Sequence, residues 1–301
     1  WLRHSIDEKG GIFTCLDDHG EVLSTDKWLW SQWRAVWVFS RIHNHLDRDP
    51  RWLGLARHIA DFCLRFGLDA TPGEWALLVS QDGKILRGHE STYVDAFAVY
   101  GLTELYRATG DDRWRQAACE TADATLARLQ QPYDRMPHFP YPIPPGAKPH
   151  GIPMLWSLSF AELGSATKDD RYLRAAAALS AEITRDFYRP DRDAILEFVR
   201  LDGTEFPSPQ GTAVVPGHVI EDMWFQVHIA GHLGRAGGYL DDFFRLMLRH
   251  MELGWDANDG GLRLAVDVDG RATVGWNFAD TKLWWPQTEA LYGALLGWSH
   301  T

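Results

Sequence analysis

Apolar and polar positions along the chain alternate between two kinds of helical stretch. One kind is apolar and aromatic around most of its circumference, which predicts largely buried helices. These stretches are residues 26–46, 91–108, 152–165, 218–234 and 280–298. The stretches between them are more amphipathic. The alternation therefore predicts pairs of helices, each with one mostly buried member and one member that has a polar face.

A short motif marks the start of the amphipathic helices and repeats about 60 residues apart. Acidic residues precede an arginine and an aromatic residue, and an alanine follows the aromatic residue by four positions. The copies are Asp49-Pro50-Arg51-Trp52, Asp111-Asp112-Arg113-Trp114, Asp169-Asp170-Arg171-Tyr172 and, more loosely, Tyr239-Leu240-Asp241-Asp242. Acidic residues favour helix N-termini. The repeat predicts an all-α fold of the α/α toroid type, with five helix pairs in one domain over residues 1–301.

Short strand-like segments lie between the helices and end in Gly turns. Three of them, at 75–79, 196–199 and 261–266, are followed by Asp82-Gly83, Asp202-Gly203 and Asp269-Gly270. Asp-Gly pairs suit tight hairpin turns. We therefore expect short β-hairpins on one rim of the toroid rather than a central sheet.

Composition narrows the range of functions. The chain has 30 Lys and Arg against 41 Asp and Glu, a net charge of −11. This charge argues against nucleic-acid partners and polybasic membrane binding. The 15 tryptophans fit either a large helical core or a protein that handles carbohydrates. Three scattered cysteines and the lack of a long apolar run favour a cytoplasmic protein with no membrane partner.

The strongest chemical candidate is His218, in the segment Pro216-Gly217-His218-Val219-Ile220-Glu221. Pro-Gly before an apolar run predicts the start of a helix, with Glu221 one turn after His218. A helix N-terminus disfavours imidazolium, so we expect a neutral His218 that can accept a proton. The alternative is a capping histidine with Glu221 as a surface partner.

Two further clusters begin buried helices. Arg34 lies among aromatic residues near Trp30, where we expect a buried guanidinium that binds either sugar oxygens or a carboxylate. Trp284, Trp285 and Glu289 open the last apolar helix and fit either a sugar-stacking wall or ordinary packing. In a toroid, helix starts converge on one end of the cavity. His228 and His232 are four residues apart, but no third ligand is evident, so we predict no metal site.

At these residues the sequence resembles the N-acylglucosamine 2-epimerase family. The matching segments are GGIFTCLDDHG, DKWLWSQWRAVWVFSRI, GIPMLWSLSFAELG, PGHVIEDMWF and TKLWWPQTEALYGALLGW, which span nearly the whole chain in order. The resemblance implies an (α/α)6 barrel, which we expect to be incomplete at both ends of these residues. It also implies an isomerase that interconverts N-acetylglucosamine and N-acetylmannosamine, or a related hexose, through the ring-opened sugar.

The resemblance also implies roles for single residues. Arg34 would bind the oxygen that becomes negative, His218 would be one acid/base with Glu221 beside it, and Glu289 would bind substrate or relay protons. Residues implied for the pocket wall are Trp284, Trp285, Tyr93 and Trp30. The family's second acid/base histidine lies in a motif beyond the last matching segment, and His89 and His150 are possible substitutes. No cofactor is required. ATP is a possible regulator, although the chain has no phosphate-binding glycine loop. A homodimer is possible.

Three other functions remain open at this point. An aldose–ketose isomerase of the mannose–fructose type would use the same residues and differ only in product. A non-catalytic sugar-binding toroid would bind sugars without exchanging any C2 proton. A glycoside hydrolase would need two carboxylates across the scissile bond, for which Glu221 and Glu289 are the candidates.

Overall fold

A computed structural model describes residues 2–141, 143–208, 210–235, 240–271 and 276–300. The helices are α1 (Leu2–Ser5), α2 (Leu29–His45), α3 (Pro50–Phe66), α4 (Thr92–Thr109), α5 (Asp112–Arg128), α6 (Gly151–Thr167), α7 (Asp170–Glu182), α8 (Pro216–His232), α9 (Leu240–Gly254) and α10 (Trp284–His300). Short 3-10 turns cover Tyr133–Arg135 and Gln210–Thr212, and a π-helical turn covers Ile183–Phe187. Trp1, Tyr239 and Thr301, which bear on the predicted repeat and chain ends, lie outside the described residues.

The strands are short. They are β1 (Cys15–Leu16), β2 (Val22–Ser24), β3 (Lys27–Trp28), β4 (Leu78–Val79), β5 (Ile85–Arg87), β6 (Ala147–Pro149), β7 (Tyr188–Arg189), β8 (Ala194–Ile195), β9 (Phe198–Arg200), β10 (Ala213–Val214) and β11 (Val266–Asp267). The mostly helical fold that the sequence predicts is therefore confirmed. Within the described residues, no helix is both long enough and apolar enough to cross a bilayer.

The predicted alternation of helices is confirmed. The apolar stretches form α2, α4, α6, α8 and α10, and the repeated motif begins α3, α5 and α7. Asp49 and Asp111 cap α3 and α5, because their carboxylates accept hydrogen bonds from the backbone N–H groups of Arg51 and Arg113. The chain forms two compact units: Trp1–Gln131 with Arg135–Pro142 and Glu162–Asp169, and Pro132–Asp134 with Ile143–Ala161 and Asp170–Thr301. We call them unit 1 and unit 2. The single-domain assignment stays a prediction.

In unit 1, short strands hold the starts of the apolar helices. β3 leads directly into α2 and pairs antiparallel with β4, which follows α3. β4 also pairs with β5, which precedes α4. The Asp82-Gly83 turn joins β4 to β5, so the hairpin predicted there is confirmed. The strands thus connect the starts of α2 and α4.

In unit 2, the same arrangement uses strands that are far apart in sequence. β6 leads into α6 and pairs with β9, which follows α7. β10 leads into α8 and pairs with β11, which follows α9. Asp202-Gly203 and Asp269-Gly270 do form local turns, in which the glycine N–H groups donate to Arg200 and Asp267. No strand lies in residues 201–208, so the hairpin predicted at Asp202-Gly203 is wrong, and β9 pairs with β6 instead. Residues 272–275, which follow Asp269-Gly270, lie outside the described residues, so the hairpin there stays a prediction, and β11 pairs with β10.

A glutamine and a lysine fix the start of the first apolar helix in unit 1. The Gln32 side chain accepts a hydrogen bond from Ile12 N–H and donates one to Ile12 C=O, both at 2.8 Å. Lys27 is fully buried and donates to Asp7 at 2.6 Å. Gln32 therefore pairs with the backbone as a neighbouring strand would, and satisfies two backbone groups that are out of contact with water.

Unit 2 contains the same arrangement of a glutamine and a lysine at the start of α10. Gln287 accepts from Leu262 N–H at 2.8 Å and donates to Leu262 C=O at 2.9 Å, and Lys282 pairs with Asp256 at 2.8 Å. The lysine precedes the glutamine by five positions in both units. The helix α10 differs from the prediction in one respect. The sequence predicts a largely buried helix, but Pro286 and Gly293 are the only buried residues of this fully described helix. The large apolar side chains of Trp284, Leu291, Leu295 and Trp298 are exposed.

Replacing Gln32 with alanine tests the contribution of its two hydrogen bonds to the backbone of Ile12. The change removes both hydrogen bonds to Ile12 and leaves a buried N–H and C=O unpaired. We expect the free energy of unfolding to fall by about 3 kcal/mol. Denaturant unfolding followed by circular dichroism measures this change. Gln130→Ala is the matched control, because Gln130 is exposed on the same unit, and we expect a change of no more than about 0.5 kcal/mol. Equal losses in the two variants would contradict the assignment.

Candidate active site

His218 lies in the first turn of α8, and its ring nitrogen contacts a buried carboxylate. Nδ1 lies 3.0 Å from Oε2 of Glu197. The Glu197 side chain is 3% exposed and that of His218 is 12% exposed, so the pair is largely shielded from water but still reaches the surface. The predicted helix start at Pro216-Gly217 is confirmed.

The backbone explains why Glu197 meets His218. The N–H of Glu197 donates to the C=O of Ala213 at 2.8 Å, and its C=O accepts from the N–H of His150 at 2.9 Å. Glu197 therefore lies between the strand that enters α6 and the strand that enters α8. Because α8 begins at Pro216, shortly after Ala213, the Glu197 side chain lies beside the first turn of α8.

The hydrogen bond between His218 and Glu197 determines which ring nitrogen is free to exchange a proton. A carboxylate only accepts hydrogen bonds, so Nδ1 of His218 must be protonated and donate to Glu197. The remaining nitrogen, Nε2, is then the atom that gains and loses a proton near neutral pH. Glu197 therefore fixes the tautomer of His218, and the acid/base role of this histidine stays a prediction.

The expected neutral state of His218 needs correction. Burial lowers the pKa of His218, but the charge and hydrogen bond of Glu197, together with the smaller effects of Glu221 and Asp222, outweigh burial and raise the pKa above its usual value. The helix N-terminus disfavours imidazolium, as expected, yet an adjacent buried carboxylate is a stronger influence. The partner of Nδ1 is also Glu197 and not Glu221, the neighbour that the sequence suggested.

Trp285 covers one face of the His218 ring. The two ring centroids are 5.4 Å apart and the planes meet at 26°. Gly217 makes room for this contact, since a Cβ at that position would lie 2.6 Å from Cζ3 of Trp285. Trp285 therefore limits how the imidazole can turn. Trp284, the other predicted wall residue of this helix, is 77% exposed.

A second, wholly buried pair holds α8 in place. Nε2 of His150 lies 2.8 Å from Oδ2 of Asp222, and both side chains are inaccessible to solvent. Asp222 also accepts a hydrogen bond from Gln226. His150 was a possible substitute for the second acid/base. That expectation is wrong, because a side chain without solvent contact cannot touch a sugar.

The remaining candidates of unit 2 lie along the facing sides of α8 and α10. Glu289 accepts a hydrogen bond from the indole N–H of Trp224 at 2.7 Å. Glu221 is partly exposed, one helical turn after His218. His228 contacts the Tyr292 hydroxyl at 2.9 Å. Among the described residues, no group of three His, Cys, Asp or Glu side chains is placed to hold a metal ion.

The predicted residues Arg34, Tyr93 and Trp30 lie in unit 1. Arg34 is exposed, with its guanidinium carbon 3.7 Å from the centroid of the Phe97 ring. The expectation of a buried arginine is therefore wrong, because stacking on Phe97 lets the charge remain in water. Tyr93 is partly exposed in the first turn of α4, and Trp30 is partly exposed in the first turn of α2. The shared cavity of Arg34 and His218 stays a prediction.

His89, the other possible substitute base, also belongs to a charged cluster in unit 1. Its Nε2 lies 2.7 Å from Oδ2 of Asp95, and its Nδ1 lies 3.4 Å from Glu74. Arg128 contacts both carboxylates. A histidine with a carboxylate at each nitrogen can serve a purely structural role. The catalytic role of His89 stays a prediction.

Comparison with known proteins identifies the family of this chain. The sequence profile of the N-acylglucosamine 2-epimerase family matches residues 11–301. The chain belongs to this family. N-acylglucosamine 2-epimerase from Bos taurus is 32% identical over 314 residues, an alignment that covers 100% of this chain and 72% of the bovine protein. The Homo sapiens protein of the same name is 31% identical and is covered to 71%.

Solved structures show the fold of the family. A sugar epimerase from a ruminal bacterium has a TM-score of 0.80 and 21% identity, with 100% of this chain and 78% of that chain covered. Cellobiose 2-epimerase from Spirochaeta thermophila has a TM-score of 0.80 and 22% identity, with 99% and 75% covered. The predicted (α/α)6 barrel fold and the family resemblance are therefore confirmed.

Sequence reasoning missed Glu197. The segment Leu196-Glu197-Phe198-Val199 is predicted from the sequence as a short strand, and a carboxylate among apolar strand residues is rarely buried unless it is paired. That signal was present in the sequence. What the sequence did not supply was the partner, since 21 positions separate Glu197 from His218.

Glu197→Gln tests the control of His218. Glutamine keeps the shape but loses the charge that stabilises imidazolium, so we expect the pKa of His218 to fall, as measured by NMR titration of its ring. In the native protein the raised pKa stabilises the fold below the pKa of the unfolded chain, and this stability is lost as the pH rises through the folded pKa. The variant should lose that pH dependence. Glu252→Gln, at an exposed position of the same unit, should leave the pKa unchanged. An unaltered His218 pKa in Glu197→Gln would contradict the assignment.

Proposed function

We propose that the protein is a sugar 2-epimerase that interconverts N-acetylglucosamine and N-acetylmannosamine. The observation that carries the proposal is the Glu197–His218 pair at the start of α8, in a chain matched over its full length by N-acylglucosamine 2-epimerases. A histidine with a fixed tautomer and a raised pKa is suited to moving a proton. Trp285 and the buried neighbours of His218 keep it in one orientation.

The chemistry needs a proton carrier more than any other group. Ring opening exposes the aldehyde, which makes the hydrogen on the adjacent carbon, C2, acidic. Removal of that proton gives an enediolate, and return of a proton to the opposite face of C2 gives the epimer. Nε2 of His218 takes or returns the proton, while Glu197 stabilises the imidazolium that forms. The raised pKa makes unprotonated His218 a stronger base.

Other residues complete the proposal. A fixed cation stabilises the enediolate oxygen, and the exposed guanidinium of Arg34 is the predicted group. Glu221 and Glu289 are the predicted substrate or relay carboxylates, and Tyr93, Trp30 and Trp284 are predicted to line the sugar site. The reaction as proposed uses no cofactor. Regulation by ATP and a homodimer stay predictions, as does a cytoplasmic location, which the scattered cysteines support.

Deuterium exchange at C2 of N-acetylglucosamine tests the proposal. The sugar is incubated with the protein in deuterated water, and NMR follows loss of the C2 proton signal. Exchange requires only one proton carrier. The exchange rate therefore reports on proton transfer by His218 even before any epimer accumulates. We expect His218→Asn to reduce the exchange rate by a factor of about 100 to 10,000, the usual contribution of a general base.

The control for this experiment is His19→Asn, which changes an exposed histidine of unit 1 and should exchange at the native rate. The product also separates the two isomerase chemistries, since an epimerase places deuterium at C2 of an aldose and an aldose–ketose isomerase forms a ketose. Undiminished exchange in His218→Asn would rule out the assigned base. Absence of exchange with N-acetylglucosamine, N-acetylmannosamine and mannose would rule out the enzyme.

A further inference from the structure

His150 makes hydrogen bonds to the segment that carries Glu197 and to the helix that carries His218. Its backbone N–H donates to the C=O of Glu197 at 2.9 Å. Its side-chain Nε2 lies 2.8 Å from Oδ2 of Asp222, which follows His218 by four positions on α8. Residues four apart on a helix lie one turn apart on the same face. One residue therefore connects the buried carboxylate to the helical face that presents the imidazole.

The connection extends through unit 2 to α7. The Asp222 carboxylate accepts a second hydrogen bond, through Oδ1, from the side-chain amide of Gln226 at 2.8 Å. The amide oxygen of Gln226 in turn accepts from the Ser180 hydroxyl of α7. We call His150, Asp222, Gln226 and Ser180 the polar bridge. It joins α8 both to the start of α6 and to the amphipathic helix α7.

The His150 ring has a single hydrogen-bonded orientation in this bridge. A carboxylate only accepts hydrogen bonds, so Nε2 carries the proton and donates to Asp222. Nδ1 has no hydrogen-bond partner among the described residues. The ring of Phe187, in the π-helical turn, packs against the imidazole with centroids 5.7 Å apart and planes at 54°. A side chain locked by packing and by one hydrogen bond can hold its neighbours in place.

The bridge is a costly way to fill a protein core. The side chains of His150 and Asp222 are inaccessible to solvent, and one ring nitrogen stays unpaired. Apolar side chains of similar volume often replace such a pair without loss of stability, and buried polar pairs can instead fix how elements pack. The same region of α6 buries apolar side chains completely at Ile152, Trp156 and Phe160. The pair is therefore better explained by the placement of α8 than by packing.

We propose that His150 is a positioning residue, which sets how far the Glu197 carboxylate lies from the His218 ring. When the bond from His150 to Asp222 is lost, α8 shifts relative to Glu197, and the hydrogen bond from Nδ1 of His218 weakens. The imidazole then populates both neutral tautomers, and Nε2 is no longer free to accept a proton in every molecule. The effect on the ring needs no substrate, whereas the catalytic consequence rests on the proposed function.

The test compares the ring ¹⁵N chemical shifts of His218 in the native protein and in His150→Leu. Leucine has a similar volume but cannot donate to Asp222. We expect neutral His218 to carry its proton on Nδ1 in the native protein and to be a mixture of tautomers in the variant. C2 exchange of N-acetylglucosamine should fall by a factor of about 10 to 100, the loss that a displacement of about 1 Å causes.

Three further variants separate positioning from loss of stability, which thermal unfolding measures. His150→Gln keeps an N–H donor near the place of Nε2 and should restore the native tautomer. The double variant His150→Leu with Asp222→Asn removes the unpaired buried charge, so it should regain stability and still show mixed tautomers. Met247→Ala, the control, shortens a buried side chain of α9, a helix that supplies no member of the polar bridge. It should lose stability and keep the native tautomer.

The tautomer of His218 decides the proposal. The native tautomer in both His150→Leu and the double variant would overturn it, as would an equal change of tautomer in Met247→Ala. If His150→Leu does not fold, the double variant provides the same comparison. Mixed tautomers in these variants support the proposal even if the native protein exchanges no C2 proton, a result that would overturn only the proposed function.

Discussion

The hydrogen bond between the Glu197 carboxylate and Nδ1 of His218 is the interaction on which the proposed chemistry depends. A carboxylate that is almost fully buried is costly unless it is paired, and His218 supplies the partner. The same contact fixes the tautomer of the imidazole, raises its pKa and leaves Nε2 as the atom that exchanges protons. The pairing of a buried carboxylate and the proposed acid/base function therefore depend on one contact.

The framework of short strands makes this contact possible. The β3–β4, β6–β9 and β10–β11 ladders are only two or three residues long, yet each joins a segment that enters an apolar helix to the segment that follows its amphipathic partner. Glu197 lies where two such ladders meet in unit 2. The wholly buried His150–Asp222 pair adds a second connection to α8. Small displacements of these segments would move the carboxylate away from the imidazole.

The helices were predictable from the sequence because their information is local. A 3.6-residue period, an acidic cap and a repeat of about 60 residues suffice to place α3 and α5. The partners of β9 and β11 were not predictable, because they depend on how helices pack. Arg34 shows the same limit: its aromatic neighbours suggested burial, but the sequence does not say that the charge lies over Phe97 and faces water. Glu197 is a carboxylate among apolar residues of a predicted strand, and nothing in the sequence identifies its partner.

The tautomer of His218 most directly tests the role of Glu197. In protein with ¹⁵N-labelled histidine, the ring-nitrogen chemical shifts of His218 report which nitrogen carries the proton once the imidazole is neutral. We expect a protonated Nδ1 and an unprotonated Nε2 above the pKa of His218. A neutral form with its proton on Nε2 would mean that Glu197 does not accept a hydrogen bond from this ring, and would contradict the proposed role of the Glu197–His218 pair.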